Sequence, residues 1–233
     1  YLQADGTLLR SGRDDEDPHF RGGGIGGRIQ RLAPDGTVLW QYELADRDRH
    51  QHHDIEPLPN GNILTIAWER KSAEEAVARG RDPRGVGAVG LWPDAVFEIQ
   101  PTPPRGGKIV WEWHAWDHLV QDRDPSKPNH GALADHPGRI DVNAAFEPPD
   151  EISEEERREQ EEIEKQMAAI GYAGGDDEEE ESDPAPDGPP GNPWERSGDW
   201  MHTNAVDYHA ELDLIVLSSP ELCEILVIDH STT

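Results

Sequence analysis

What most limits the fold of this 233-residue chain is that it repeats itself in strands. The segment "RIQRLAPDGTVLWQYE", residues 28–43, alternates apolar and polar positions on both sides of Asp35-Gly36. Such alternation around Asp-Gly is a hairpin signal, because this dipeptide accepts the positive φ angles of a tight turn. "AVFEIQPTPPRGGKIVWEWH", residues 95–114, has the same form with a longer loop, and both hairpins end near Trp. "EILVIDHSTT" at 224–233 reads as the first half of a third copy, and "ADGTLLRSG" at 4–12 as the end of an earlier one. A second pair also matches: "HHDIEPLPNGNILTIAWE" (52–69) and "MHTNAVDYHAELDLIVLSS" (201–219). Each is a His-led strand, a turn and an apolar strand. The unit therefore reads as a Trp-ending hairpin followed by a His-led hairpin, with first strands at Ile29, Val96 and Ile225. Repeated four-stranded units predict an all-β chain and a partial β-propeller, about three blades of six. A β-sandwich with coincidental internal similarity is the competing all-β reading.

The region between the repeats differs. "SEEERREQEEIEKQMAAIGY" opens on a capping box, Ser153 with Glu156, and places Ile163, Met167 and Ile170 on one helical face. "GGDDEEEESDPAPDGPPGNP" follows, acidic and rich in Pro and Gly, a composition that does not build a core. The expected division is propeller strands over 1–146, an acidic insertion of helix and disordered loop over 147–197, and resumed propeller over 198–233. The opening on Tyr1 and the unfinished turn at the end lead us to expect an internal fragment of a longer protein.

Residues 151–187 hold 16 acids against three bases, within a net charge of -28 for the chain. A field this negative argues against nucleic-acid binding and requires locally placed donors for any anionic substrate. Cys223 is the one cysteine, so an intrachain disulfide and a Cys-rich zinc site are excluded. No apolar run reaches the ~18 residues of a membrane span.

The chemistry rests on histidines. There are eleven, mostly at strand starts or in loops, and His53 and His202 hold equivalent places in two copies of the repeat. In a propeller such positions converge on one channel mouth although they are distant in sequence. His50, His52 and Asp54 are metal-ligand types, but adjacent His52 and His53 on an extended strand face opposite ways. No H-E-x-x-H spacing occurs, and no metal is expected. "GGGIGG", residues 22–27, lacks a Walker lysine and a preceding strand, and reads as a flexible loop.

Taken together, "HHDIEPLPNGNIL", "DWMHTNAVDYHAELDLIVLSS", "GTVLWQYE" and "GKIVWEWHAWDHL" resemble the bacterial arylsulfotransferases of the arylsulfate sulfotransferase type. The resemblance runs from Arg28 to the C-terminus, apart from the acidic insertion. It implies a six-bladed propeller exported to the periplasm or beyond. It implies transfer of a sulfuryl group from an aryl sulfate donor to a phenolic acceptor through a transiently sulfated histidine, without a cofactor. By resemblance His53 and His202 are catalytic, in acid–base or sulfate-contacting roles. Asn204 binds substrate through a sulfuryl oxygen, and His52 joins it as a substrate-binding candidate. Two departures stand out. Ser218-Ser219 is followed by Pro220 where the family has Arg, and no Lys or Arg follows to Thr233. The family's nucleophilic histidine is expected beyond Thr233. Two other functions remain open at this stage: a noncatalytic propeller that binds a ligand or protein through the same mouth, and a metal-dependent propeller hydrolase or lyase resting on "HQHH" and "WDHL".

Overall fold

The computed structural model describes residues 1–14, 19–20, 22–146, 158 and 198–232. The helix expected after Ser153 and the acidic loop behind it lie outside the described residues.

Among the described residues the chain is mostly β. The strands are β1 (Leu8–Arg13), β2 (Gly27–Leu32), β3 (Val38–Glu43), β4 (Arg49–Pro57), β5 (Ile63–Glu69), β6 (Asp94–Pro101), β7 (Gly107–His114), β8 (Leu119–Val120), β9 (Ile140–Asp141), β10 (Ala205–His209), β11 (Leu214–Ser219) and β12 (Glu224–Asp229). They form antiparallel sheets β1-β2-β3, β4-β5-β6-β7 and β10-β11-β12, plus a parallel pair β8-β9. The helix α1 (Ala73–Ala78) begins on a capping box of Ser72 and Glu75 within the link between β5 and β6.

The repeat is real but its phase is shifted by two strands. The complete sheet starts with the His-led hairpin β4-β5 and ends with the Trp-ending hairpin β6-β7. Connection length explains the difference. Residues 44–48 are a short link that crosses from one sheet to the next, whereas residues 70–93, with α1, are a long link that stays within one sheet. A periodic sequence does not mark its own starting point, and the short link looks like a connection within a unit. In the observed phase the His-led strands β4 and β10 are each the first, edge strand of a sheet.

The middle sheet is buried on both faces. On one side Ile55, Ile63, Ala67, Phe97 and Ile99 pack on Leu9, Ile29 and Trp40 of the first sheet. On the other, Leu64, Ile66, Val96 and Trp111 pack on Val206, Ile215, Leu217 and Ile228 of the third. Every residue of β5, "ILTIAWE", is buried, which is why it reads as a continuous apolar run rather than an alternation. The recurring Trp has one repeated use. Trp40 Nε1 donates to Gly106 O (2.8 Å) in the β6-β7 turn of the next sheet. Trp111 Nε1 donates to Thr232 O (3.0 Å), just past the corresponding strand of the sheet after that. The indole N–H thus ties each sheet to the far turn of its neighbour while the ring fills the gap between them.

Candidate functional site

The site begins where β4 stops being regular. Its ladder to β5 passes from Gln51↔Ala67 to Ile55↔Thr65, so residues 52–54 fall out of register. His53 sits there with φ 48, and His202, before β10, has the same φ of 48. Histidine is one of the few side chains found in this left-handed region with any frequency, at a cost of roughly 1–2 kcal/mol. The backbone turn has a direct consequence. His52 and His53 do not face opposite ways, as an extended strand would require; their Nδ1 atoms lie 3.0 Å apart. The His53 and His202 rings meet edge to face, with centroids 4.7 Å apart and planes at 79°.

Carboxylates sew the two His-led segments together. Val206 N–H donates to Asp54 Oδ2 (3.1 Å), which gives the acid of "HHD" a structural use. Asp94 receives the Thr203 N–H on Oδ2 (2.9 Å) and lies 3.0 Å from His52 Nε2 through Oδ1. His52 is fully buried, stacked on Trp68 at 4.2 Å and 10°. It lies behind His53, with its Nε2 on Asp94 and its Nδ1 on His53. Asp199 grips His202 twice, through Nδ1 at 2.5 Å and the backbone N–H at 3.1 Å.

The glycine loop is packed against this pair. A Cβ on Gly24 would stand 2.3 Å from His53 Nε2, and one on Gly23 would stand 3.5 Å from His202 Cε1. His53 N–H donates to Gly24 O (2.6 Å). Gly26 and Gly27 lie close to Gln51, a buried side chain whose Oε1 accepts from Gly27 N–H and Ser11 Oγ. "GGGIGG" is therefore glycine-rich because rings and amides occupy the space of its side chains.

The two imidazoles are pushed apart electrostatically. Burial, with the neighbouring His52 and His202, holds the His53 pKa down to about 4. The hydrogen bond to Asp199 raises that of His202 against the opposing effect of burial, and Glu221 and Asp94 add to the rise. His53 is therefore an uncharged imidazole at neutral pH, a lone-pair base, while Asp199 favours the protonated, hydrogen-bond-donating form of its neighbour His202.

Asn204 is exposed, and its backbone N–H donates to Ser218 O (3.0 Å). Ser219 Oγ donates to Met201 O, and Pro220 opens the turn into β12. His230 lies elsewhere, bound to Asp213 Oδ1 (2.8 Å) and Glu98 Oε2 (2.9 Å). The "PNGN" turn supports it, since Asn60 and Asn62 both donate to Glu98 Oε1. Among the described residues no group of three or more His, Cys, Asp or Glu side chains is arranged to hold a metal ion.

Asp94 and Asp199 were given no role from sequence, and the glycines were read only as a flexible loop. Asp199 carried a signal, three residues before His202 in "DWMH". Asp94 carried none, being 42 residues from His52 and 109 from Thr203.

The arylsulfotransferase (ASST) family matches residues 14–233, and the chain belongs to that family. No curated protein and no solved structure matches it.

Proposed function

We propose that this chain carries the substrate end of an exported, periplasmic arylsulfotransferase built on a β-propeller, with His53 and His202 at its mouth. The propeller reading is supported by three sheets stacked face to face in chain order, with the His-led strands β4 and β10 of the second and third on adjacent edges. The observation that carries the functional reading is the ring contact of two histidines far apart in sequence, one of them, His202, hydrogen-bonded to Asp199.

Sulfuryl transfer resembles phosphoryl transfer: little covalent work falls to the protein, and catalysis is positioning plus stabilisation of charge on peripheral oxygens. His202, whose protonated form Asp199 favours, donates from Nε2 to a sulfuryl oxygen of the aryl sulfate, and the Asn204 amide donates to another. The family's nucleophilic histidine bonds to sulfur through a ring nitrogen as the ester S–O bond breaks and the first phenolate leaves. In the second half-reaction the acceptor phenol oxygen bonds to sulfur, the N–S bond breaks and frees that histidine, and the phenol proton passes to neutral His53. A sulfate anion in place lifts the basicity of His53 as the proton arrives. His52 acts from behind rather than on the substrate.

A noncatalytic, ligand-binding reading has one observation in its favour. Pro220 stands where the family has a cation, and Glu221 and Asp199 lie around His202. The full-length protein with 4-nitrophenyl sulfate and phenol separates the two. The transferase reading expects phenol-dependent release of 4-nitrophenolate with formation of phenyl sulfate, lost in His53→Ala and His202→Ala. Saturable binding of the sulfate ester without turnover supports the second reading and sinks the first.

A further inference from the structure

We propose that Asp94 and His52 are positioning residues that dictate which nitrogen of His53 carries its proton, leaving Nε2 as the bare, reactive one. The assignment of Nε2 as the reactive atom rests on the transferase reading; the proton placement does not.

The argument runs inward from the carboxylate. Asp94 Oδ2 is committed to the Thr203 N–H, which can only donate. Asp94 Oδ1 faces His52 Nε2 at 3.0 Å, and a carboxylate can only accept, so His52 Nε2 carries a proton. The His52 ring has no exposure, so no water competes for it, and a ring flip would turn carbons toward Asp94 and His53 and lose both contacts. We take this Nε2–H as the one proton of the His52 ring, which leaves the remaining nitrogen, Nδ1, as a lone pair. It lies 3.0 Å from His53 Nδ1, which must donate to it. His53 is thereby the Nδ1–H tautomer. Its Nε2 has no hydrogen-bond partner among the described residues, and the ring edge that carries it rests against Gly24 in the space a Cβ would take.

The relay makes a specific prediction for Asp94→Asn. The introduced amide must turn its oxygen to the Thr203 N–H and its NH₂ to His52 Nε2. His52 then becomes the Nδ1–H tautomer and donates to His53, whose proton moves to Nε2. In Ser-His-Asp hydrolases the same exchange strands the wrong tautomer and lowers kcat by about 10⁴.

The test is long-range ¹⁵N–¹H NMR of the full-length protein labelled at histidine, at neutral pH, with His53 assigned by its absence in His53→Ala. The expected result is a protonated Nδ1 and bare Nε2 on His53 in the parent, reversed in Asp94→Asn. Transfer should fall about 10²–10⁴-fold in kcat, with KM for the aryl sulfate changing far less. A parent His53 protonated on Nε2 overturns the proposal, as does a tautomer unchanged by Asp94→Asn. A reversed tautomer with undiminished kcat overturns the role given to Nε2. If Asp94→Asn does not fold, the parent spectrum alone decides. If the protein proves not to transfer sulfuryl groups, the spectra still report the relay, so the two failures are distinguishable.

Discussion

Two histidines in the left-handed region, each beside a glycine loop, carry a cost that ordinary strand residues avoid. The conformation turns each ring away from its strand direction and toward the other. Gly24 tests how tightly the pair is held. Gly24→Ala puts a methyl carbon inside the contact distance of the His53 ring, so transfer should fall by at least about 10²-fold. Gly36→Ala is the control: its φ of +86 is equally strained, but nothing lies within 4 Å. It should cost about 1 kcal/mol in urea unfolding and leave kcat unchanged. Equal losses of activity in the two variants would show that the glycine loop serves only folding. Asp199→Asn should move the alkaline limb of the kcat profile to lower pH, because it removes the main support of the His202 imidazolium. A profile that does not shift would mean that His202 is not held charged by Asp199.

The residue scale also shows where a sequence speaks and where it is silent. The equivalence of His53 and His202 was legible, because a repeat places like residues at like backbone positions. The opposed directions expected for His52 and His53 failed, because one positive φ reverses the alternation and nothing in "HQHHD" announces it. Asp94 was invisible because its contacts are set by sheet packing, not by local spacing.

At the scale of elements, β5 is an internal strand of the middle sheet and is buried along its whole length. Ile66 faces the third sheet with Leu64, Val96 and Leu217. Ile66→Ala removes buried methyl groups and leaves a cavity, which should cost about 2–5 kcal/mol in denaturant unfolding. A loss below about 1 kcal/mol would mean that the second and third sheets are not packed as described. The elements were legible in kind, from Asp-Gly turns, alternation and recurring Trp. Their grouping was not, since link length misled: the five-residue link changes sheets and the link containing α1 does not.

For the whole molecule, charge decides how an anionic substrate arrives. At -28, the protein repels an aryl sulfate in free solution, so kcat/KM should rise with salt from about 0.01 to 0.2 M as the Debye length shortens. A steady fall would point to a local cationic steering patch instead. Stability follows pH in two windows. His53 has its pKa lowered in the fold, so the unfolded chain binds the extra proton first, and stability is lost as pH falls from about 6.5 toward about 4. His202 has its pKa raised, so its contribution is full below about 6.5 and is lost as pH rises through the folded value. Thermal unfolding of His53→Ala and His202→Ala against pH should each flatten its own window.

The central claim is that these two histidines form one sulfuryl-transfer site, and a double-mutant cycle on transfer from 4-nitrophenyl sulfate to phenol tests it most directly. The account predicts that His53→Ala and His202→Ala each lower kcat/KM by about 10²–10⁴-fold, and that the double variant is little worse than the weaker single one. Parent-level transfer in either single variant, or losses that simply multiply, would contradict it.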